Sequence, residues 1–182
     1  MTVTTTPRLT LSKPDGAELV SIALINANSD KIDSNFIPAA KMTASAAQSV
    51  PNNALTTAAF NTTGFDTYAA RPEGAMVNLT TDTITIRKDG IYYVSLNAAF
   101  VANATGVRRG DIRKNGTSLL SIVDLSFSGG ANCVKISDFF AFVTNDAITG
   151  GLFQNSGAAL NADGNTFAEG MALSVIWVGS LT

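Results

Sequence analysis

The chain has 182 residues, the size of one domain with room for a short appendage. Only 14% of its residues are charged, and 12 Lys and Arg against 14 Asp and Glu leave no excess of positive charge for binding nucleic acid. Histidine is absent and Cys133 is the only cysteine, which excludes most hydrolase designs, an intrachain disulfide and a multi-cysteine zinc site. We therefore expect a protein that is not an enzyme and that holds no cofactor and no metal.

The first 15 residues are rich in Thr and include Pro7 and Pro14. Such a segment is extended and is held only by what it docks against, which predicts an attachment arm. The N-terminus lacks the continuous apolar stretch of a signal peptide, and the apolar segment 19–27 is far shorter than the ~20 residues of a membrane span. We expect no secretory signal and no membrane insertion.

Between residues 16 and 36, apolar side chains recur at alternating spacings of three and four, which predicts one apolar stripe along a helix. The stripe consists of Ile22, Ile25, Ile32 and Phe36. Pro38 is expected to end the helix shortly after Phe36. Isoleucine at both core positions of a heptad favours three or four strands over two, so we predict a trimer stalk. The alternative is a helix that lies on its own domain.

Residues 38–59 are rich in Ala, Thr and Ser and contain few large apolar side chains, a composition typical of a linker. A helix of about 20 residues that is cut off from a core is marginal alone, so the stalk would need partners. We predict an attachment arm with a short helix at 1–37, a linker at 38–59 and a head domain at 60–182.

From Phe65 onward, strand patterns alternate with turn signals. Strands are expected at 83–86, 91–101, 108–113, 118–125, 134–143, 147–153 and 171–178. Turns are marked by Asp89-Gly90, Asn115-Gly116 and Asn145-Asp146, of which Asn-Gly is the strongest hairpin signal. Many short strands without a long helix between them predict an antiparallel sandwich or barrel.

Two of the predicted strands are apolar on both faces. Tyr92 and Tyr93 point to opposite faces of one strand, and Ile176 and Trp177 do so on another. Because a sandwich needs only one apolar face per strand, a partner subunit is the expected cover for the second. The residues that we assign to the head core or to a trimer interface are Tyr92, Tyr93, Val94, Phe140, Phe142 and Trp177.

Residues 78–96 read NLTTDTITIRKDGIYYVSL: a strand, a charged turn ending in Gly and a strand of Gly-x-Tyr-Tyr type. This segment resembles the C1q and tumour-necrosis-factor-like jelly-roll family, and Lys114-Asn115-Gly116 resembles the hairpin of that family. The resemblance covers residues 60 to 179 and implies a mostly β, antiparallel jelly-roll sandwich, here preceded by an extended arm and a short helix and expected as a homotrimer. A collagen-like stalk is absent, which argues against a complement or cytokine role.

Residues 9–36 contain Lys13-Pro14-Asp15-Gly16, followed by LINANSDKID at 24–33. This pattern resembles the start of bacteriophage tail-fibre and minor tail proteins, in which the N-terminus joins the virion and the head points outward. The resemblance implies a protein assembled in the bacterial cytoplasm into the virion, bound to other virion structural proteins through its N-terminus, with a host cell-surface glycan as candidate ligand of the head. Two alternatives are a capsid-decorating or head-fibre protein with a purely structural role, and a glycan depolymerase, for which no carboxylate pair stands out.

The densest basic cluster lies on the strand predicted at 108–113 and on the residue after it. It is a candidate for contact with an anionic cell-wall polymer or with carboxylates of a neighbouring subunit, although a solvated or interface-paired face is the commoner role of such charges. Its members are Arg108, Arg109, Arg113 and Lys114. Cys133, among apolar residues at 131–136, is expected to be a small buried strand residue.

Overall fold

The computed structural model describes residues 4–5, 12–13, 22–34, 36–126, 132–163 and 170–181. The chain divides into two compact units, Met1–Ile37 and Pro38–Thr182, and we call the second unit the head. In the first unit, strands β1 (Thr4–Thr5) and β2 (Ser12–Lys13) pair antiparallel, and helix α1 spans Ile22–Ser34. The part of the predicted helix at residues 16–21 lies outside the described residues.

The apolar stripe of α1 is shorter than predicted. The helix ends at Ser34, so Phe36 lies beyond it and does not continue the stripe. Pro38 disfavours helical backbone at the residue before it, which accounts for a helix that stops short of Ile37. Ile22, Ile25 and Ile32 are 76%, 51% and 55% exposed, so most of the apolar stripe faces solvent in the single chain.

The head is an antiparallel β-sandwich of two sheets. Its strands in chain order are β3 (Ala39–Ala44), β4 (Gln48–Val50), β5 (Thr56–Thr57), β6 (Thr62–Asp66), β7 (Val77–Asn78), β8 (Thr83–Thr85), β9 (Gly90–Phe100), β10 (Val107–Lys114), β11 (Ser118–Ser126), β12 (Asn132–Phe142), β13 (Ala147–Gln154), β14 (Leu160–Asp163) and β15 (Met171–Gly179). The first sheet runs β6-β3-β15-β9-β12, with β14 and β4 continuing from one end of β9. The second sheet runs β11-β10-β13-β8-β7, and β5 also pairs with β13. The predicted antiparallel sandwich is confirmed.

Turn residues mark the ends of several strands where the sequence predicts them. The hairpin between β10 and β11 turns at Asn115 and Gly116, whose φ angles of 53° and 74° are in the left-handed region that Asn and Gly tolerate. Asn145 has a φ of 73° in the turn between β12 and β13. These residues stop one strand and start the next, so the predicted ends at these turns agree closely with the structure.

The linker predicted at 38–59 is wrong. Strand β3 lies inside the first sheet, between β15 and β6, and Ala40 and Met42 are fully buried. Ala58, which follows β5, is fully buried as well. The segment contributes mainly alanines to the core, because neighbouring strands supply most of the large side chains there. A lack of large apolar residues therefore does not indicate a linker. The head therefore begins at Pro38 and not at residue 60.

The core lies between the inner faces of the two sheets. Tyr92, Val94 and Phe142 are buried in it, and Phe140 and Trp177 are partly buried against it. The ring centroids of Tyr92 and Phe142 are 5.9 Å apart. The Tyr92 hydroxyl donates a 2.7 Å hydrogen bond to the carbonyl of Lys88, so this large side chain is buried without losing a polar partner.

Candidate functional site

The outer face of the first sheet, which points away from the core, carries a row of apolar side chains. Ile176 of β15 lies directly opposite Tyr93 of β9, and Tyr93 lies directly opposite Phe139 of β12. The ring centroids of Tyr93 and Phe139 are 5.2 Å apart. Ile91 lies two residues before Tyr93 and so on the same face. Phe139 and Ile176 are 59% and 43% exposed, and we call these four residues the apolar row.

The outer face becomes polar along its strands. We call the end of the sheet with Ala39, Gly90 and Phe142 the proximal end, and the opposite end the distal end. Next to the apolar row on the distal side, three serines lie in register on the same three strands, and two of them, Ser95 and Ser174, have hydroxyl oxygens 2.8 Å apart. The apolar part of this face is therefore concentrated near the proximal end, where the chain enters the head at Pro38.

Cys133 is exposed, contrary to the prediction that it is buried. It lies near the distal end of β12 and is paired with Ala99. Side chains alternate along a strand, and the inward position is taken by its neighbour Val134, which is fully buried. The apolar residues around Cys133 in the sequence therefore mark the core face of β12, and the thiol belongs to the other face.

Three members of the basic cluster form ion pairs within the head. The pairs are Arg109 with Asp124, Arg113 with Asp111, and Lys114 with Asp146, at N···O distances of 2.6, 2.7 and 2.6 Å. The two arginine pairs are bidentate, with second bonds of 3.0 Å. The carboxylates come from the same chain, so the predictions of an anionic polymer or a neighbouring subunit as partner of this cluster lose their basis.

The fourth member, Arg108, is 1% exposed. Its guanidinium group donates to the backbone carbonyls of Asn103, Thr105 and Val107 at 2.9 to 3.1 Å. Burial lowers the pKa of Arg108. Because these carbonyls belong to the loop between β9 and β10 and its junction with β10, Arg108 holds that loop against the sandwich.

Loss of Arg108 is expected to destabilise the head far more than loss of Arg109. Arg108→Ala removes the donors of three carbonyls and leaves a void, which should cost about 3 kcal/mol of unfolding free energy. Arg109→Ala removes a half-exposed ion pair and should cost less than about 1 kcal/mol. Urea unfolding of both variants at one protein concentration measures the difference, and equal losses would contradict the structural role of Arg108.

Asp146 joins the two turns at the proximal end of the second sheet. Its carboxylate accepts hydrogen bonds from the Asn115 amide group at 3.1 Å and from the Val143 backbone N–H at 2.9 Å, beside its ion pair with Lys114. Burial alone would raise the pKa of Asp146, but the hydrogen bonds from Lys114, Val143 and Asn115 outweigh it and hold the pKa below its ordinary value of 3.8.

This depressed pKa predicts an acid-dependent loss of stability. The stabilisation by Asp146 is fully present above the pKa of the unfolded chain and is lost as the pH falls through the lower pKa of the folded head. Asp146→Asn should reduce the unfolding free energy by about 2 kcal/mol at pH 7 and make its fall below about pH 4 shallower. Urea titrations from pH 7 to pH 2 measure both effects, and parallel profiles for the two proteins would refute the assignment.

Among the described residues, no three His, Cys, Asp or Glu side chains lie together in a way that suits a metal ion. In the same part of the chain, no helix is both long enough and apolar enough to span a membrane.

Comparison with known proteins places the fold. No protein-family model matches the sequence, and no curated protein matches it. Among solved structures, the chain is similar to Eiger TNF from S. frugiperda, with a TM-score of 0.61 and 11% identity over 80% of this chain and 95% of that one. It is also similar to murine APRIL, with a TM-score of 0.57 and 14% identity over 79% of this chain and 100% of that one. The predicted C1q/TNF-like jelly roll is thus confirmed as a TNF-like fold.

Proposed function

We propose that this chain is a structural protein of a bacteriophage virion, a homotrimeric tail-fibre or minor tail protein whose head contributes to binding of the host surface. The first 37 residues attach it to other virion proteins, and assembly takes place in the bacterial cytoplasm. The TNF-like fold supports the head part of this proposal, and the resemblance of residues 9–36 to phage tail proteins supports the attachment part.

The observation that carries the homotrimer in this proposal is the apolar row. Exposed apolar patches of this kind mark surfaces that bind another protein. Phe139 and Ile176 are exposed, although the inner face of the same sheet already supplies the core. The low charge content of the chain agrees with a surface that a partner subunit covers. A second copy is the best candidate for that partner, because closed symmetric assemblies bury the same patch on every subunit.

Immunogold labelling tests the virion assignment. Antibodies raised against the purified full-length protein are applied to phage particles released from the bacterium that encodes it. We expect gold at the tail or its tip. An absence of gold from every particle would contradict a virion protein altogether.

The second candidate is a capsid-decorating or head-fibre protein with a purely structural role. The observation that favours it is the internal pairing of Arg109, Arg113 and Lys114, which leaves that cluster without a cation directed at a charged host polymer. Gold distributed over the capsid, with none at the tail, would decide for this candidate.

The stalk makes a separate prediction. Ile25→Asp together with Ile32→Asp places charges at one core position of two successive heptads, where they would be buried against their own copies. We expect the trimer to dissociate at a protein concentration at least tenfold higher than that of the unaltered chain. Sedimentation velocity over a dilution series measures this. Ala23→Asp with Ala27→Asp, two exposed positions on the other side of α1, is the matched control, and an equal effect of the two pairs would contradict the stalk.

A further inference from the structure

Three described loops at the distal end of the head carry no charged residue. Residues 45–55, 101–106 and 155–159 contain no Asp, Glu, Lys or Arg and consist largely of Asn, Ser, Ala, Thr and Gly. The proximal segments 66–73 and 87–89, by contrast, carry six charged residues. A ligand of these three loops therefore meets neutral hydrogen-bonding groups and methyl groups.

Two buried polar side chains hold these loops in place. Gln154 is fully buried, and its amide nitrogen donates to the carbonyls of Val50 and Ala158 at 2.9 and 2.8 Å. Arg108, opposite Gln154 in the register of β10 and β13, holds the loop at 101–106. Loops fixed in this way lose little entropy when a ligand binds, which favours a binding surface.

A cavity of about 210 Å³ opens at this end, beside the loop that joins β3 to β4. Its walls are the methyl groups of four alanines, among them Ala46, with the side chains of Gln48, Phe60 and Asn61. No wall residue is charged. The carboxylate of Asp82 accepts the backbone N–H of Phe60 at 2.6 Å, so a negative charge lies beside this wall and opposes an anionic ligand.

The two amide side chains of the wall are held by the backbone and keep donor capacity. Gln48 donates to the carbonyl of Thr57 at 2.7 Å and accepts from the N–H of Ala59 at 2.8 Å. Asn61 donates to the Ser45 hydroxyl and accepts from the Ser45 backbone N–H, both at 3.0 Å. Each NH₂ group has two donors and uses one in these bonds, so one N–H of each remains for a ligand.

We propose that this cavity binds one sugar residue of a neutral glycan, with the sugar's apolar C–H groups or methyl substituent against the alanines and its hydroxyls on the amides of Gln48 and Asn61. The proposal rests on the proposed host-binding function and names its ligand class. Methyl walls with a few fixed polar groups suit such a ligand, and an anion would lose hydration here without gaining a cation.

The test uses the full-length chain and a filled cavity. Ala46→Phe places a ring in the cavity, and Ala104→Phe, in another exposed loop of the same end, is the matched control. Saturation-transfer NMR is recorded with free hexoses, 6-deoxyhexoses and N-acetylhexosamines as neutral probes and with glucuronic acid as the anionic one. Binding of fluorescently labelled protein to cells of the host bacterium is measured in parallel at 50 and 500 mM NaCl.

We expect at least one neutral probe to bind, no binding of glucuronic acid, at least tenfold weaker binding by Ala46→Phe, and unchanged binding by Ala104→Phe. No neutral probe bound, or equal binding by the two variants, would overturn the cavity proposal. Cell binding that Ala46→Phe retains, or that 500 mM NaCl abolishes, would overturn it while leaving host binding intact. An unaltered chain that binds no host cells at all would instead refute the host-binding function.

Discussion

Phe139→Asp combined with Ile176→Asp is expected to convert the proposed trimer into a monomer of 18.9 kDa. Both side chains are exposed in the single chain, so the head should still fold with Asp at both positions. In the proposed trimer the two carboxylates would be desolvated against the neighbouring copies, at a cost of several kcal/mol in each subunit. Light scattering after gel filtration gives the mass, and far-ultraviolet circular dichroism checks the fold.

Ile122→Asp combined with Leu55→Asp is the control for this pair. Ile122 and Leu55 are 43% and 46% exposed, but they lie outside the first sheet, on β11 and in the loop between β4 and β5. Their replacement should leave the trimer intact. Dissociation by the control pair and not by the apolar-row pair would move the interface to another face of the head.

Gly90→Ala is expected to destabilise the head by about 3 kcal/mol or more. A Cβ at Gly90 would overlap the carbonyl oxygen of Gly179 and the indole nitrogen of Trp177. Its φ of 155° also lies outside the range of ordinary side-chain-bearing residues. Relief would require β9 and β15 to separate, and with them the 3.2 Å hydrogen bond from Trp177 to the carbonyl of Asp89. Urea unfolding of the variant measures the loss.

Gly179→Ala is the matched control, because a Cβ at Gly179 meets no atom within 4 Å. Its unfolding free energy should stay within about 0.5 kcal/mol of the unaltered chain. A similar loss in both variants would show that removal of a flexible glycine, and not the close approach of β9 to β15, causes the effect at Gly90.

Gly90 also illustrates which parts of the fold could be predicted from sequence. Asp89-Gly90, Asn115-Gly116 and Asn145-Asp146 act through their own backbone conformations, so the strand ends near them were predictable without knowledge of the fold. Strand β3 was not, because Ala40 and Met42 are recognisable as core residues only when β15 and β6 stand beside them. The sequence of this segment resembles a linker because its side chains are mostly small, and side chains from other strands fill the rest of the core around them.

The candidate surfaces show the same division between local and distant information. The second apolar face of β9 was predictable from the alternation around Tyr93. The alignment of Ile176, Tyr93 and Phe139 was not, since it depends on the register of three strands that are distant in sequence. Arg108 was interpreted as one of a cluster of surface charges, because nothing in the sequence indicates that its partners are backbone carbonyls of a loop.

The distal cavity had no sequence signal at all. Its alanines come from the end of β3, from the loop after it and from the segment before β6, and alanine in loops carries no chemical signature. Gln48 and Asn61 become candidate ligand donors only because the Thr57 carbonyl and the Ser45 hydroxyl each hold one N–H and leave the other. A site of this kind can be found only from coordinates.

The solution mass of the full-length chain tests the central claim, that copies of the head cover the apolar row of one another. Light scattering across a hundredfold range of protein concentration should give a constant mass of three chains of 18.9 kDa each. A mass of one chain at every concentration would contradict the account, because the apolar row would then remain exposed to solvent in the native protein.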